Sequence, residues 1–166
     1  GDTVSIGTYA SSISAPNGLQ LKGWKLDQPS GLDEEVDYTN DYVVDQDGAV
    51  QLYAVWAPKS YYFIIVLNGG VYNKTYNDYS VPTPYRTTID LATYSSGAAP
   101  ITREGYRLLG FANNAEATVP TYSNDATFTM PAESKKIYCV WQELTVITFD
   151  KNCEDEALED YIFNGV

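Results

Sequence analysis

Two short runs constrain the fold of this chain more than any other feature. Leu52-Tyr53-Ala54-Val55-Trp56 and Ile137-Tyr138-Cys139-Val140-Trp141 are nearly the same five residues, written 85 positions apart. Self-similarity of this kind marks a supersecondary unit that was copied. The match is wider than one strand. Gly18-Leu19-Gln20-Leu21-Lys22-Gly23-Trp24 aligns with Gly105-Tyr106-Arg107-Leu108-Leu109-Gly110-Phe111 at an offset of 87. Thr8-Tyr9-Ala10-Ser11-Ser12 echoes Thr93-Tyr94-Ser95-Ser96-Gly97. Ile65-Val66-Leu67-Asn68-Gly69-Gly70 echoes Thr148-Phe149-Asp150-Lys151-Asn152-Cys153 at an offset of 83. Offsets that change from block to block mean that loops altered in length while strands were kept.

The repeated runs alternate as strands do. Side chains of successive strand residues point to opposite faces. Leu52, Ala54 and Trp56 therefore share one face, as do Ile137, Cys139 and Trp141, and Tyr53 and Val55 point the other way. Both faces are apolar, which predicts a central strand covered on both sides. Tyr61–Leu67 reads the same way. In the Gly-containing strand, strict alternation leaves Trp24 and Phe111 on the polar face. The Gly before each ring either forms a bulge that turns the ring inward or makes room for a neighbouring ring. Helical signal is sparse: Arg86–Ala92 suits a helical turn or a strand, and Glu154–Tyr161 a short helix or an edge strand. Eight prolines interrupt the chain at intervals, which suits many short strands. The expected class is mainly β, α+β at most.

Composition bounds the function. The 166 residues are 44% hydrophobic, so the chain can bury a core as one medium domain or two small ones. No apolar stretch approaches the roughly 18–20 residues that cross a bilayer, so no membrane insertion is expected in this segment. No signal peptide opens the chain, so an export signal is expected outside it or removed, and the chain reads as a piece of a longer protein. With 22 acidic and 10 basic residues the net charge is −12, which repels phosphate backbones and argues against nucleic acid as a partner.

Eight acids lie between residues 26 and 58 with no Lys or Arg among them: Asp27, Asp33, Glu34, Glu35, Asp37, Asp41, Asp45 and Asp47. A solvated loop face is the expected reading. A calcium loop needs oxygen ligands at set positions and a terminal Glu. Asp45-Gln46-Asp47-Gly48 supplies only a fragment of that pattern and reads as a turn, so no metal site is expected. The chain has no histidine, which removes the usual general base and the commonest zinc ligand. Cys139 stands where the other copy has Ala54 and reads as a small buried residue. Both Cys139 and Cys153 are expected as free thiols, although a disulfide is left open. Carboxylate pairs such as Asp33/Glu34/Glu35 and Asp155/Glu156 sit in open loops rather than across a cleft. Glycine-rich phosphate loops are absent. No enzyme, cofactor or catalytic residue is expected.

Four blocks, Ile101–Phe111, Phe128-Thr129-Met130-Pro131-Ala132-Glu133, Ile137–Trp141 and Val146–Asn152, resemble the Listeria–Bacteroides repeat, the family of the internalin B-repeat. The second copy matches best. The first lacks the Met-Pro-Ala block and carries the acidic loop in its place, and Cys153-Glu154 break the third Asn-Gly-Gly. The resemblance covers most of the chain through the order and spacing of its motifs. It implies tandem β-grasp-like (ubiquitin-like) small modules in a secreted or surface-anchored bacterial protein, extracellular, serving as stalk, spacer or adhesive segment, with no catalytic residues to carry over. The family phase gives a partial unit at 1–57, a full one at 61–141 and an opening strand at 145–166. An even division gives 1–83 and 84–166, each with one Gly strand, one Trp strand and one following strand. The even division is the one expected, because a sheet lacking a central strand exposes unpaired backbone.

The functional expectation is a non-catalytic structural or adhesive repeat segment, with a host or cell-wall protein or glycan as partner and the oligomeric state open. The alternative is a carbohydrate- or glycoprotein-binding module. Tyr61, Tyr62, Tyr72, Tyr76 and Tyr79 crowd one region with Asn68, Asn73, Asn77 and Asp78 between them, and rings beside amides suit sugar contacts. The plainer reading is that most of these tyrosines pack edges and core.

Overall fold

The computed structural model of the chain describes residues 1–45, 47–149 and 161–164, with the backbone alone for residue 149 and for 161–164. The protein is mainly β. Its strands are β1 (Thr3–Ser5), β2 (Leu19–Lys25), β3 (Asp41–Val43), β4 (Tyr53–Pro58), β5 (Ser60–Val66), β6 (Tyr79–Pro84), β7 (Thr88–Asp90), β8 (Tyr106–Ala112), β9 (Thr127–Thr129), β10 (Lys135–Glu143), β11 (Val146–Phe149) and β12 (Tyr161–Asn164). Among the described residues, helix is confined to a 3-10 segment over Gly7–Ser12 and α1 (Ala92–Ser95), which occupy the two Thr-Tyr echoes. The stretch Arg86–Ala92 contains strand β7. The expectation for Glu154–Tyr161 falls outside the described residues apart from Tyr161, which opens β12.

One sheet has four strands in the order β6-β5-β10-β8; the others pair β1 with β3, β2 with β4, β7 with β9 and β11 with β12. The four-stranded sheet joins β5 and β6, which precede residue 85, to β8 and β10, which follow it. Tyr62 N–H meets Ser134 Oγ, and Asn68 Nδ2 meets the Cys139 carbonyl further along. Contacts that advance together along both strands make β5 and β10 parallel. Strand β10 is central, as its doubly apolar pattern predicts. Its sequence counterpart β4 has only β2 as a strand neighbour among the described residues.

The two pairs of Gly and Trp strands share one register. In β2–β4, Leu21 faces Trp56, Gly23 faces Val55 and Trp24 faces Ala54, with a shift between Leu21 and Gly23. In β8–β10, Leu108 faces Trp141, Gly110 faces Val140 and Phe111 faces Cys139, with a shift at Val140/Trp141. Both glycines sit at a bulge, and the two sequence readings of them combine in an unexpected way. A Cβ on Gly23 would lie 2.6 Å from the Tyr38 carbonyl oxygen, and one on Gly110 2.3 Å from that of Tyr122. The room is needed by a crossing backbone, not by a ring. Trp24 N–H donates to Tyr38 O at 2.8 Å and Phe111 N–H to Tyr122 O at 2.9 Å, so each aromatic anchors the same short bridge.

Spatially the chain groups into two compact units. The first is Gly1–Phe63 with Pro82–Thr88 and Thr129–Lys135; the second is Ile64–Val81, Ile89–Phe128 and Lys136–Val166. The first buries Ile6, Leu19, Tyr42, Val55, Phe63 and Met130. The second buries Ile65, Leu67, Leu91, Ile101, Phe111, Ile137 and Cys139. Among the described residues no helix is long and apolar enough to cross a membrane.

Candidate functional site

The tyrosine- and asparagine-rich stretch is shaped by two tight turns. Asn68 and Gly69 both have positive φ, 48° and 84°, and Gly70 N–H closes on Leu67 O at 2.9 Å. Asn73 and Lys74, at 50° and 64°, form a second such turn, closed reciprocally by Tyr72 and Thr75. Consecutive positive φ values define type I′ turns, which Asn and Gly tolerate best. Asn68 is consumed by the fold: its Nδ2 donates to Cys139 O at 2.9 Å and to Ala115 O at 3.3 Å. Asp78 Oδ1 accepts from Leu67 N–H at 3.2 Å.

Tyr72 and Tyr79 pack on a third ring that the sequence reading of this stretch did not include. Tyr94, in α1, lies 5.9 Å from Tyr72 and 5.4 Å from Tyr79, and Tyr72 and Tyr79 meet edge to face at 5.2 Å. Burial, then the neighbouring Tyr79 and Tyr72, push the Tyr94 hydroxyl well above its ordinary value. The signal for Tyr94 was present in the Thr-Tyr echo, but an echo names no partner. Of Tyr72, Tyr76 and Tyr79, Tyr76 is left outside this cluster, 76% exposed. Beside the second turn, Val71, Asn73, Lys74, Ala99, Pro100 and Thr102 line a groove of about 420 Å3. Tyr61 and Tyr62 belong to the first unit, where Tyr62 is exposed.

The acidic loop folds onto the lysines of β2. Glu34 is its hub. One carboxylate oxygen accepts from Ser30 N–H at 2.7 Å, Ser30 Oγ at 2.8 Å and Gly31 N–H at 2.7 Å, while the other meets Lys25 Nζ at 2.8 Å. These bonds, Lys25 first, hold the Glu34 carboxyl down at about 2. Asp33 pairs with Lys22 at 3.0 Å, and its N–H donates to the Trp56 carbonyl of β4 at 2.8 Å. Asp37 Oδ2 accepts from Leu26 N–H at 2.9 Å. These carboxylates close a loop and are already engaged. In the Asp45–Gly48 segment, Gly48 has φ of 103°, as a turn requires, and Gln46 lies outside the described residues.

Cys139 is a buried free thiol. Burial first, and the charge of Asp78 second, push it up to about 12. A thiol so disfavoured as thiolate is a poor nucleophile. Cys153 lies outside the described residues.

No known family model, curated protein or solved structure matches this chain.

Proposed function

We propose that the chain is a non-catalytic structural or adhesive repeat segment of a secreted or surface-anchored bacterial protein, built of tandem β-grasp-like modules. One observation carries the reading: the connection after each Trp strand is made twice in the same way. Lys59 N–H donates to Gly18 O at 2.8 Å, and Leu144 N–H donates to Gly105 O at 2.9 Å. Gly18 and Gly105 have nearly equal φ, 77° and 74°. In each case the next strand follows at once, β5 after Lys59 and β11 after Leu144-Thr145. Tandem units that join by a pinned backbone build length, each supplying its own core. The resemblance to the Listeria–Bacteroides repeat points the same way.

The strand order supports a β-grasp-like unit, because β5 and β10, first and last of the stretch from Ser60 to Glu143, are parallel neighbours at its centre. Solution scattering tests the stalk reading. A chain carrying the 166 residues twice in tandem should have close to double the maximum dimension of the single chain. Growth as the square root of copy number would count against a stalk.

The glycan-binding alternative retains Tyr76, Asn73 and the groove beside them. Asn68, Asp78, Tyr72 and Tyr79 have structural work that explains them without a ligand.

A further inference from the structure

We propose that the groove beside the Asn73-Lys74 turn binds a sugar that carries a carboxylate, a hexuronic acid, and that Lys74 selects it. The inference rests on the glycan-binding alternative and adds to it the chemical class of the ligand and the residue that recognises it. All the residues that line the groove belong to the second unit.

The choice of residue in the turn is the first observation. Of the two type I′ turns in this stretch, Asn68-Gly69 places Gly at its second central position, where positive φ costs nothing. The other turn places Lys74 there, with φ of 64°. A side chain in the left-handed region is strained, and strain of this kind is held by its surroundings and concentrates at functional sites. The surroundings of Lys74 are firm. Tyr72 and Thr75 close the turn with two bonds of 3.0 Å, and Val71 and Thr102 exchange N–H···O bonds of 2.7 and 3.0 Å beside it. Ala99-Pro100, the other segment that lines the groove, is held by its neighbour: Ile101 is buried and its N–H donates to Tyr94 O at 2.7 Å. The groove is therefore preformed.

The ligand class follows from what the groove offers. Val71, Ala99 and Pro100 give it apolar surface, and Asn73, Lys74 and Thr102 give it an amide, an ammonium and a hydroxyl. A few polar groups set on apolar surface orient a small ligand. Other cations of the chain are engaged by the fold: Lys22 and Lys25 in ion pairs, Arg103 on the Asn68 carbonyl and Arg107 on Gln142. The Asn73 and Lys74 side chains have no partner among the described residues. An ammonium left over by the fold is matched by an anion, most strongly through a charge-assisted hydrogen bond. The net charge of −12 repels multiply charged ligands such as phosphates more than a single carboxylate. A hexuronic acid combines one carboxylate with hydroxyls for the amide and a C–H face for the apolar surface.

Amide chemical shifts of the 15N-labelled 166-residue chain, titrated with sodium glucuronate, test this, with glucose and sodium acetate as controls at matched ionic strength. A monosaccharide is the probe because Tyr76 does not line the groove. Glucuronate should shift the amides of residues 71–75 and of Ala99, Ile101 and Thr102 saturably, with a Kd of about a millimolar, and both controls should bind at least about tenfold more weakly. Lys74→Gly removes the ammonium and supplies the residue that the turn prefers. It should melt no lower than the wild type while losing about tenfold or more in affinity, a pairing that a purely structural Lys74 would not give. Lys74→Gln keeps the backbone strain, removes the charge and should lose affinity as well. Absence of a saturable shift in the groove, an affinity that neither variant changes, or acetate binding as well as glucuronate overturns the proposal. A neutral-glycan signal on a glycan array without a glucuronate shift also overturns it and leaves the glycan-binding alternative standing, whereas absence of both signals removes the two together.

Discussion

The indole nitrogen of Trp141 donates to the carbonyl of Leu67 at 2.9 Å, across 74 residues of chain. The ring lies against Gly70, where a Cβ would come within 2.6 Å of its Cζ2 atom. One hydrogen bond and one missing methyl thus tie the end of β10 to the turn that follows β5. Trp141→Phe removes the indole donor, while the Leu67 carbonyl keeps its bond from Gly70 N–H. The expected cost of the lost bond is about 0.5–1.5 kcal/mol, read as a lowered midpoint in urea with an unchanged slope. An unchanged midpoint would mean that this bond contributes nothing.

Gly110 and Gly105 separate close approach from backbone freedom. Gly110 has the Tyr122 oxygen and the Pro120 ring against the place of its missing Cβ, whereas Gly105 has open space and only a positive φ. Gly105→Ala should cost about 1–2 kcal/mol, the left-handed penalty alone. Gly110→Ala adds a collision with the crossing backbone and should cost more than Gly105→Ala. Equal losses in thermal unfolding would show that the bridge at Tyr122 yields easily.

Glu34 gives a pH signature. Its folded value of about 2 lies below the ordinary 4.5. A depressed carboxylate stabilises the fold above its unfolded value, and that contribution is lost as pH falls through the folded one. Glu34→Gln should therefore be less stable than wild type at pH 7, with the gap closing between about pH 4.5 and pH 2. Parallel melting curves for the two proteins across that window would show the Lys25 contact to be screened out by solvent.

Cys139 should resist a thiol reagent such as DTNB in the folded protein at pH 8 and react on unfolding, because burial disfavours its thiolate. The measurement uses Cys153→Ser, so that one thiol reports. Rapid reaction under native conditions would mean that β10 opens locally far more often than its packing implies.

Tyr72 and Tyr76 divide packing from binding. Tyr72→Ala removes a ring from the Tyr79–Tyr94 cluster and should lower the melting temperature. Tyr76→Ala should leave it unchanged and, under the glycan-binding alternative, abolish any signal on a glycan array. A glycan signal that survives Tyr76→Ala removes the main support for that alternative.

Much of the strand content was legible in the residues, because alternation is local. Tyr61–Leu67 and Ile137–Trp141 announce inner strands through apolar side chains on both faces, and β5 and β10 are inner strands. The paired glycines offered a bulge or room for a ring; a bulge stands at each, and the room is taken by the Tyr38 and Tyr122 backbone instead. Tyr94 was not legible as the partner of Tyr72 and Tyr79, and neither was the use of Asn68 as a brace between Cys139 and Ala115. Those contacts depend on where a turn delivers its side chains in space.

What the residues alone determined was a mainly β chain with a duplicated Gly strand and a duplicated Trp strand, since period-two alternation and glycine spacing are properties of the backbone itself. Tertiary structure decided which strand lies beside which. The runs Tyr53–Trp56 and Tyr138–Trp141 carry almost the same pattern, yet β10 has β5 beside it while β4 meets a loop at Asp33. A strand's pattern specifies its faces, but its edges bond through backbone groups that every residue except proline shares. Neighbours are therefore chosen by the arrangement of the whole chain.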